Sequence, residues 1–280
     1  MIFWLASYPK SGNTWIRTFI STYYFTNNDQ FEFNYLKNIK QFPHERFFDK
    51  DIKDINSAIN NWDKAQTNIN SQKKIIFLKT HSALATINNH TFTSKKHSIA
   101  GIYIVRDPRN VLTSLSNHYQ FNFDQALEFM TNSKKYILNK KNINNFANFT
   151  FLSSWSENYK SWKNNKQFKV LFIKYEDLEN NTLEIFKEII FFINKILNKE
   201  DKIDLKRVKK IIESISFDNL KKKEDDNGFP EAITDNNKKK IKFFYLGKKN
   251  KWNKLLTNKQ INFLNIKFEK DLKHLEYKFK

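Results

Sequence analysis

Short apolar runs alternate with longer amphipathic segments along this 280-residue chain. Four of the runs are rich in β-forming residues and have the length and continuous hydrophobicity that are typical of buried parallel strands. These runs are Ile2 to Ser7, Lys74 to Lys79, Gly101 to Arg106 and Phe168 to Lys174. Apolar positions three and four residues apart predict helices in the other segments. The predicted helices are Thr14 to Phe25, Asp51 to Trp62, Pro108 to Tyr119, Asp124 to Lys140, Ser153 to Asn164, Thr182 to Leu197, Leu205 to Ser214 and Asn258 to Leu272.

The alternation of strands and helices predicts an α/β fold in which helices flank a central, mainly parallel sheet. Ligands of such a fold bind at the carboxyl ends of the strands. The length permits one large domain or two small ones, and we favour a single domain over residues 1–280. The segment from Lys221 to Lys240 has charge runs but little apolar periodicity, which predicts a long surface loop and a candidate lid.

The composition narrows the class of protein. Lys and Arg number 49 and Asp and Glu number 29, so the net charge of +20 favours anionic partners. Much of this charge lies in stretches rich in Lys, Asn and Ile, and a solvated lysine surface is therefore favoured over a nucleic-acid groove. The absence of cysteine excludes thiolate metal sites and cysteine catalysis. No apolar segment approaches the roughly 20 residues of a membrane span and no signal peptide is recognised, so we expect a cytoplasmic protein.

The segment Ser7-Tyr8-Pro9-Lys10-Ser11-Gly12-Asn13-Thr14-Trp15 joins the first predicted strand to the first predicted helix. A helix N-terminus after a strand presents unpaired backbone amides and the positive end of the helix dipole, which suits a phosphate. Lys10 adds a full charge, Gly12 permits close approach of the backbone, and the hydroxyls of Ser11 and Thr14 can donate to anion oxygens. The common nucleotide pattern GxxxxGKS or GxxxxGKT is absent. An ordinary turn with a solvated Lys10 is the alternative interpretation.

Two further polar clusters follow predicted strands. Lys79-Thr80-His81 ends the second strand, so its imidazole lies where a general base would act, although a hydrogen-bonded structural histidine is the alternative. Arg106-Asp107-Pro108-Arg109 follows the third strand, and Asp107 with Pro108 suits the N-cap and first turn of a helix. An arginine fork and the hydroxyl of Ser114 can hold a second phosphate. An Arg–Asp pair beside a solvated serine would also explain the pattern.

The strings from Tyr8 to Trp15, Lys79 to His81 and Arg106 to Ser114 resemble those of sulfotransferases that use 3′-phosphoadenosine 5′-phosphosulfate (PAPS). The first resembles the family's 5′-phosphosulfate loop, the second its catalytic segment, and the third its 3′-phosphate site. The resemblance implies a cytosolic-type sulfotransferase with a P-loop-like three-layer α/β fold. The implied catalytic residues are Lys10 at the leaving 5′-phosphate, Lys79 at the sulfuryl oxygens and His81 as the base.

Two later segments resemble the adenine site of this family. Val170 to Leu178 resembles its fourth-strand segment, which makes Tyr175 an adenine contact, with a half-buried strand-end tyrosine as the alternative. Ser216-Phe217 resembles a pair whose phenylalanine stacks on the purine. Because the chain has 28 phenylalanines, a core position is the alternative for Phe217.

The C-terminal part departs from the family pattern. It keeps Gly247 and Trp252 but lacks the basic pair that usually precedes the glycine, so Lys248 or Lys249 would have to supply the charge. The implied cofactor-binding residues are Lys10, Ser11, Gly12, Asn13, Thr14, Trp15, Arg106, Ser114, Tyr175, Phe217, Gly247 and Lys248.

The implied reaction moves the sulfuryl group of PAPS to a hydroxyl or amine of an unidentified acceptor and leaves 3′,5′-bisphosphoadenosine (PAP), with no metal. Segments from Gln30 to Asp49 and from Phe121 to Thr150 are expected to line the acceptor cleft. Two other classes stay open. One is a P-loop-type kinase or nucleotide hydrolase, which the missing glycine-lysine pattern disfavours. The other is a non-catalytic binder of anionic glycans that uses the positive charge.

Overall fold

The computed structural model describes residues 1–49, 51–138, 145–200, 202–234 and 240–279. Within them the strands are β1 (Ile2–Ser7), β2 (Lys40–Gln41), β3 (Ile76–Thr80), β4 (Thr86–Ile87), β5 (His90–Thr91), β6 (Ser98–Val105), β7 (Tyr136–Ile137), β8 (Thr150–Phe151) and β9 (Lys169–Lys174). The helices are α1 (Asn13–Phe25), α2 (Ile55–Asn60), α3 (Trp62–Asn70), α4 (Pro108–Tyr119), α5 (Phe123–Thr131), α6 (Trp155–Lys163), α7 (Tyr175–Asn180), α8 (Thr182–Leu197), α9 (Leu205–Ser214), α10 (Phe217–Asn227), α11 (Trp252–Leu255), α12 (Asn258–Lys267) and α13 (Glu269–His274). Short 3₁₀ helices occupy Phe33–Asn38, Glu45–Phe47, Phe146–Asn148 and Gly247–Lys249.

A sheet of five parallel strands, in the order β2-β3-β1-β6-β9, organises the fold. β1 lies at its centre and is buried along its whole length because helices cover both faces. Successive side chains of a strand point to opposite faces. Trp4 accordingly packs into one core with α3, α4 and α6, and Phe3 packs into the other with α1, α8 and α9. These layers confirm the predicted α/β fold with a parallel sheet between helices.

The four predicted strands are confirmed, and they correspond to β1, β3, β6 and β9. β6 begins at Ser98, earlier than the predicted Gly101. The hydrophobic pattern does not predict β2, because this strand consists of two polar residues. It joins the sheet through backbone bonds, among them one from the Phe42 amide to the Lys79 carbonyl at 2.8 Å.

One predicted helix is wrong over half of its length. Helix α5 ends at Thr131, whereas the pattern predicts a helix from Asp124 to Lys140. Tyr136 and Ile137 supplied apolar positions for that prediction, but they pair with β8 as strand β7. A pair of apolar residues looks the same in the local sequence whether it pairs with a distant strand or packs on one face of a helix. Residues 139 and 140 lie outside the described part of the chain.

Two other predicted helices are each divided. The Asp54 side chain caps α2 by accepting from the Ser57 amide, so the helix predicted from residue 51 begins later, and α3 follows it as a separate helix. The helix predicted over residues 258–272 breaks at Phe268 into α12 and α13. Phe268 is buried, so the apolar pattern continues through the break and hides it. None of the described helices is long and apolar enough to cross a membrane.

The charged segment from Lys221 to Lys240 begins as a helix, because α10 runs on to Asn227. The predicted surface loop is therefore wrong over this part. Glu224 is a buried position of α10, and its carboxylate accepts hydrogen bonds from the amides of Phe243 and Phe244 at 2.8 and 2.9 Å. A carboxylate on the buried face of a helix adds nothing to the apolar pattern. Residues 235–239 lie outside the described residues, and the lid stays a prediction.

Candidate active site

One cavity of about 1540 Å³ opens where the carboxyl ends of β1, β3, β6 and β9 meet. The predicted site residues that line it are Lys10, Gly12, Asn13, Thr14, Trp15, Lys79, His81, Arg106, Ser114, Tyr175, Phe217, Gly247 and Lys248. Ser11 does not line this cavity, because its side chain is buried, and its Oγ atom has no hydrogen-bond partner within the described structure. The fold thus brings the other predicted residues together, and their roles remain predictions.

The loop between β1 and α1 is shaped by two residues in the left-handed region, Lys10 at φ 65° and Gly12 at φ 102°. Such turns aim successive backbone amides to one side and form a concave anion site. No side chain caps the first amides of α1 in the described structure. The Asn13 Nδ2 atom instead donates to the Leu5 carbonyl at 3.0 Å and holds the loop to β1. The amides at this helix N-terminus therefore stay available to an anion.

Gly12 lies directly against the aromatic ring of Tyr175. A Cβ atom at this position would come within 2.5 Å of the Tyr175 Cδ2 atom, a distance that no folded side chain tolerates. The Tyr175 ring also packs on Trp15, with ring centroids 5.9 Å apart. Tyr175, the first residue of α7, therefore supports the loop through the packing of its ring.

The Lys10 amine lies near two other positive charges, Arg106 and Lys79, and beside an aromatic ring. Its Nζ atom is 3.9 Å from the centroid of the Phe243 ring. Burial, followed by the nearby charges of Arg106 and Lys79, lowers the pKa of Lys10 to about 7. The free protein thus holds this amine close to the balance between its charged and neutral forms.

Arg106 closes the other side of the loop. Its Nη1 atom donates to the Lys10 carbonyl at 3.3 Å, and its guanidinium lies 4.1 Å from the centroid of the Tyr175 ring. Its Nε atom is buried and has no partner among the described residues. A buried guanidinium with a free donor on the cavity wall is suited to an anionic ligand.

Asp107 caps α4 and does not face the cavity. It accepts from the Arg109 amide at 2.9 Å and forms a buried ion pair with the Arg109 side chain, and Pro108 is the first residue of the helix. The predicted N-cap is therefore confirmed. No group of three His, Cys, Asp or Glu side chains that could hold a metal occurs in the described part of the chain.

His81 is oriented by the backbone of the neighbouring strand. Its Nδ1 atom is 2.7 Å from the Ser7 carbonyl oxygen, which can only accept, so Nδ1 carries the proton and Nε2 keeps a lone pair. Burial, followed by the charge of Lys79, lowers the pKa of His81 to about 3. The ring is neutral at physiological pH, as a proton acceptor must be.

Sequence reasoning does not identify three polar residues that line this cavity, namely Arg17, Glu231 and His118. Arg17, one turn into α1, donates to the Glu231 carboxylate at 2.5 Å, and Lys79 contacts the second oxygen of that carboxylate at 3.2 Å. His118 lines the cavity from α4, and burial followed by the charge of Lys10 lowers its pKa to about 3. No local pattern marks these positions, because each contact joins segments that are distant in the sequence.

The segment around Gly247 completes the cavity wall. A Cβ atom at Gly247 would lie 2.6 Å from the Phe217 ring, so the glycine backbone covers one face of that ring. Phe217 is half-buried and lines the cavity, so it is not simply a core residue. Lys248 lines the cavity too, whereas Lys249 is not among the lining residues. The segment is held to α4 by Asn250, which donates to the Asn110 carbonyl and accepts from the Thr113 hydroxyl.

Part of the cavity wall comes from the two segments that are predicted to line an acceptor cleft. From residues 30–49, the lining residues are Phe33, Asn34, Leu36, Lys37, Ile39, Lys40, Gln41, His44 and Arg46. From residues 121–150, Ile137 and Leu138 line it, and residues 139–144 lie outside the described structure. His81 is the predicted base that lies in the same cavity as both segments.

Comparison with known proteins identifies the family. The model of the sulfotransferase domain matches residues 2–276, so the chain belongs to this family. The predicted membership of the sulfotransferase family is confirmed by this match. The chain is 23% identical to luciferin sulfotransferase of Photinus pyralis over 224 residues, which cover 78% of this chain and 56% of that protein. It is 24% identical to sulfotransferase 1B1 of Canis lupus familiaris over 286 aligned positions, which cover 99% and 85% of the two chains.

Solved structures show the same fold at low sequence identity. Retinol dehydratase in complex with retinol and PAP superposes with a TM-score of 0.58 at 17% identity, over 97% of this chain and 81% of that one. Mouse sulfotransferase SULT7A1 complexed with PAP gives a TM-score of 0.50 at 21% identity, over 97% and 83% of the two chains. The chain thus has the architecture of known sulfotransferases.

The contact between Gly12 and Tyr175 predicts a specific sensitivity to substitution. Gly12→Ala should lower the free energy of unfolding by about 2 kcal/mol or more, because the methyl group meets the ring and φ is positive. Gly228→Ala is the matched control: φ is also positive, at 69°, but the new atom meets only the Lys240 Nζ atom at 3.4 Å, so about 1 kcal/mol is expected. Urea denaturation measures both, and equal losses would contradict the steric role of Gly12.

Proposed function

We propose that the protein is a PAPS-dependent sulfotransferase that moves a sulfuryl group to a hydroxyl or amine of an acceptor. One observation carries the proposal: a neutral, oriented imidazole and a lysine-bearing amide loop line the same cavity. The family match supports the reaction class, and two solved structures of similar fold were determined with PAP.

The residues of the cavity fit the two phosphates of PAPS. The loop amides and Lys10 provide a site for the 5′-phosphate at a helix N-terminus. Arg106, with its unpartnered Nε atom, and the Ser114 hydroxyl provide donors for the 3′-phosphate.

Aromatic residues offer a site for the purine. Trp15, Tyr175 and Phe217 all line the cavity. Their ring faces and edges suit an aromatic base. The Gly247 backbone covers one face of Phe217, which leaves the rest of this ring for the ligand. Lys248 supplies the positive charge that the family pattern takes from the basic pair before the glycine.

His81 acts as the general base in this proposal. PAPS, when bound, supplies the sulfuryl group, whose bond to the 5′-phosphate oxygen breaks as the bond to the acceptor atom forms. The acceptor proton passes to Nε2 of His81, because the Ser7 carbonyl holds the other ring nitrogen protonated. Lys10 balances the charge that develops on the 5′-phosphate, and Lys79 binds the sulfuryl oxygens. Electrostatic positioning of this kind is a main source of rate in group transfer.

Nucleotide selectivity tests the proposal directly. PAP should raise the melting temperature of the protein at concentrations where ATP and GTP leave it unchanged, because only PAP matches both phosphate sites. A thermal-shift titration with the three nucleotides measures this. Stabilisation by ATP with magnesium but not by PAP would instead indicate a kinase or hydrolase, and no response to any nucleotide would leave the glycan-binding alternative.

Substitution of the base should separate binding from turnover. His81→Ala is expected to keep PAP affinity within about twofold and to reduce turnover by about 10²-fold, because only proton removal is lost. Turnover is measured on the first acceptor found by mass-spectrometric screening of hydroxyl and amine compounds. His118→Ala, which removes a second histidine of the same cavity, should cost less, since no carbonyl fixes its tautomer among the described contacts. A larger loss in the His118 variant would transfer the role of base to that residue.

PAP binding should be linked to proton uptake through Lys10. The free amine has a pKa of about 7 because of burial, Arg106 and Lys79, so it is mostly neutral at pH 8. A bound phosphate dianion favours the charged amine and raises its pKa, so affinity should fall as the pH rises above 7. Calorimetry at pH 8 in buffers of different ionisation enthalpy should show uptake of up to about one proton. Lys10→Arg stays charged, and equal uptake in this variant would exclude Lys10 as the source.

A further inference from the structure

Arg17 is a fully buried cation on the wall of the cavity. It lies in the second turn of α1, just past the anion loop, and is 1% exposed. A buried guanidinium is stable only when anionic or carbonyl oxygens satisfy it. Its Nη2 atom contacts the Glu231 carboxylate at 2.5 Å, while its Nε atom is buried without a partner in the described residues. Arg17 therefore has donor capacity beyond its present contact.

One carboxylate bridges this arginine to Lys79. Glu231 presents one oxygen to Arg17 and the other to the Lys79 Nζ atom at 3.2 Å. Burial opposes ionisation of this carboxyl, but Lys79 and Arg17 lower the pKa of Glu231 to about 2. Glu231 therefore stays ionised at physiological pH and lies between two buried cations, Arg17 from α1 and Lys79 from β3.

The bridge lies at the reactive end of the cavity. Lys79 is two residues before His81 on the same strand end, and the charges of Lys79 and Arg17 both depress the pKa of His81. A carboxylate and a sulfuryl group each present oxygens that share negative charge around one central atom. An arginine fork with a lysine amine binds either group by charge-assisted hydrogen bonds.

We propose that Arg17 and Lys79 together form the subsite for the oxygens of the transferring sulfuryl group, and that Glu231 occupies this subsite until PAPS enters. This inference rests on the proposed function. Arg17 is then a catalytic residue that contacts the reacting group, and Glu231 is a competing internal anion. Both anions cannot occupy the subsite together, because like charges in a buried site repel strongly.

The arrangement lets the protein distinguish PAPS from PAP. PAP lacks the sulfuryl group, so it can bind while Glu231 stays paired with Arg17 and Lys79. PAPS must displace the carboxylate, and its sulfuryl oxygens then satisfy the same donors. Glu231 is able to leave, since its side chain is 35% exposed and it lies beyond the end of α10.

The ratio of PAPS affinity to PAP affinity tests the inference without any acceptor. Isothermal calorimetry of both ligands should show this ratio rising about tenfold in Glu231→Gln, because the competing charge is removed. Glu179→Gln is the matched control: it removes another carboxylate that lines the cavity, one for which no contact with Arg17 or Lys79 is found in the described structure. Its ratio should stay within about twofold of the wild-type value. Arg17→Gln should lower the ratio about tenfold, because one of the two donors is lost.

The outcomes separate this inference from the proposed function. If the wild-type protein binds PAP but the ratio is unchanged in the Glu231 and Arg17 variants, the subsite is wrong and the function stands. If the wild-type protein binds neither ligand, the proposed function fails. Glu231→Asp retains the charge and is expected to fold even if the glutamine variant does not. Its shorter side chain cannot bridge both cations, so its ratio should also rise, and a wild-type ratio would overturn the inference.

Discussion

The structure depends on one electrostatic constraint: several basic side chains are buried close together in the wall of one cavity. Arg17, Lys79 and Arg106 are buried near the carboxyl ends of the central strands, and the half-buried Lys10 also lines their cavity. Like charges in such surroundings disfavour the folded state unless anions or proton loss relieve them. The protein uses both: Glu231 forms ion pairs with two of the cations, and the lowered pKa of Lys10 lets this amine release its proton. The remaining repulsion between these buried positive charges favours the binding of a highly anionic ligand.

The central strand supplies two parts of the site from one end. Beyond Ser7 the chain turns into the amide loop, and the Ser7 carbonyl itself holds the His81 ring. Because β3 pairs with β1 in parallel register, with Ala6 beside Thr80, the imidazole arrives next to the loop without any local signal for that contact. The loop and the imidazole are thus positioned relative to one another by the pairing of two strands.

The C-terminal third encloses the cavity through contacts of long sequence separation. The Glu224 carboxylate holds the segment that brings Phe243 onto Lys10, and Asn250 fastens the following turn to α4. Arg109 binds Asp107 on one side and lies 3.9 Å from the centroid of the Trp252 ring on the other. Trp252, one of the two positions kept from the family pattern in this region, therefore acts through packing on α4. The loss of the usual basic pair leaves this anchoring intact.

The sequence by itself determined the elements and chemistry that are local. Continuous apolar runs identify the four long strands of the sheet, because both of its faces are covered, and the loop from Tyr8 to Trp15 identifies the family. Tertiary structure alone decided what depends on distant segments. It paired Tyr136 in a hairpin, broke the last long helix at Phe268, and joined Glu231 to Arg17 and Lys79. The physical reason is the same in each case: a local pattern reports which side chains seek burial, but not which partner will bury or neutralise them.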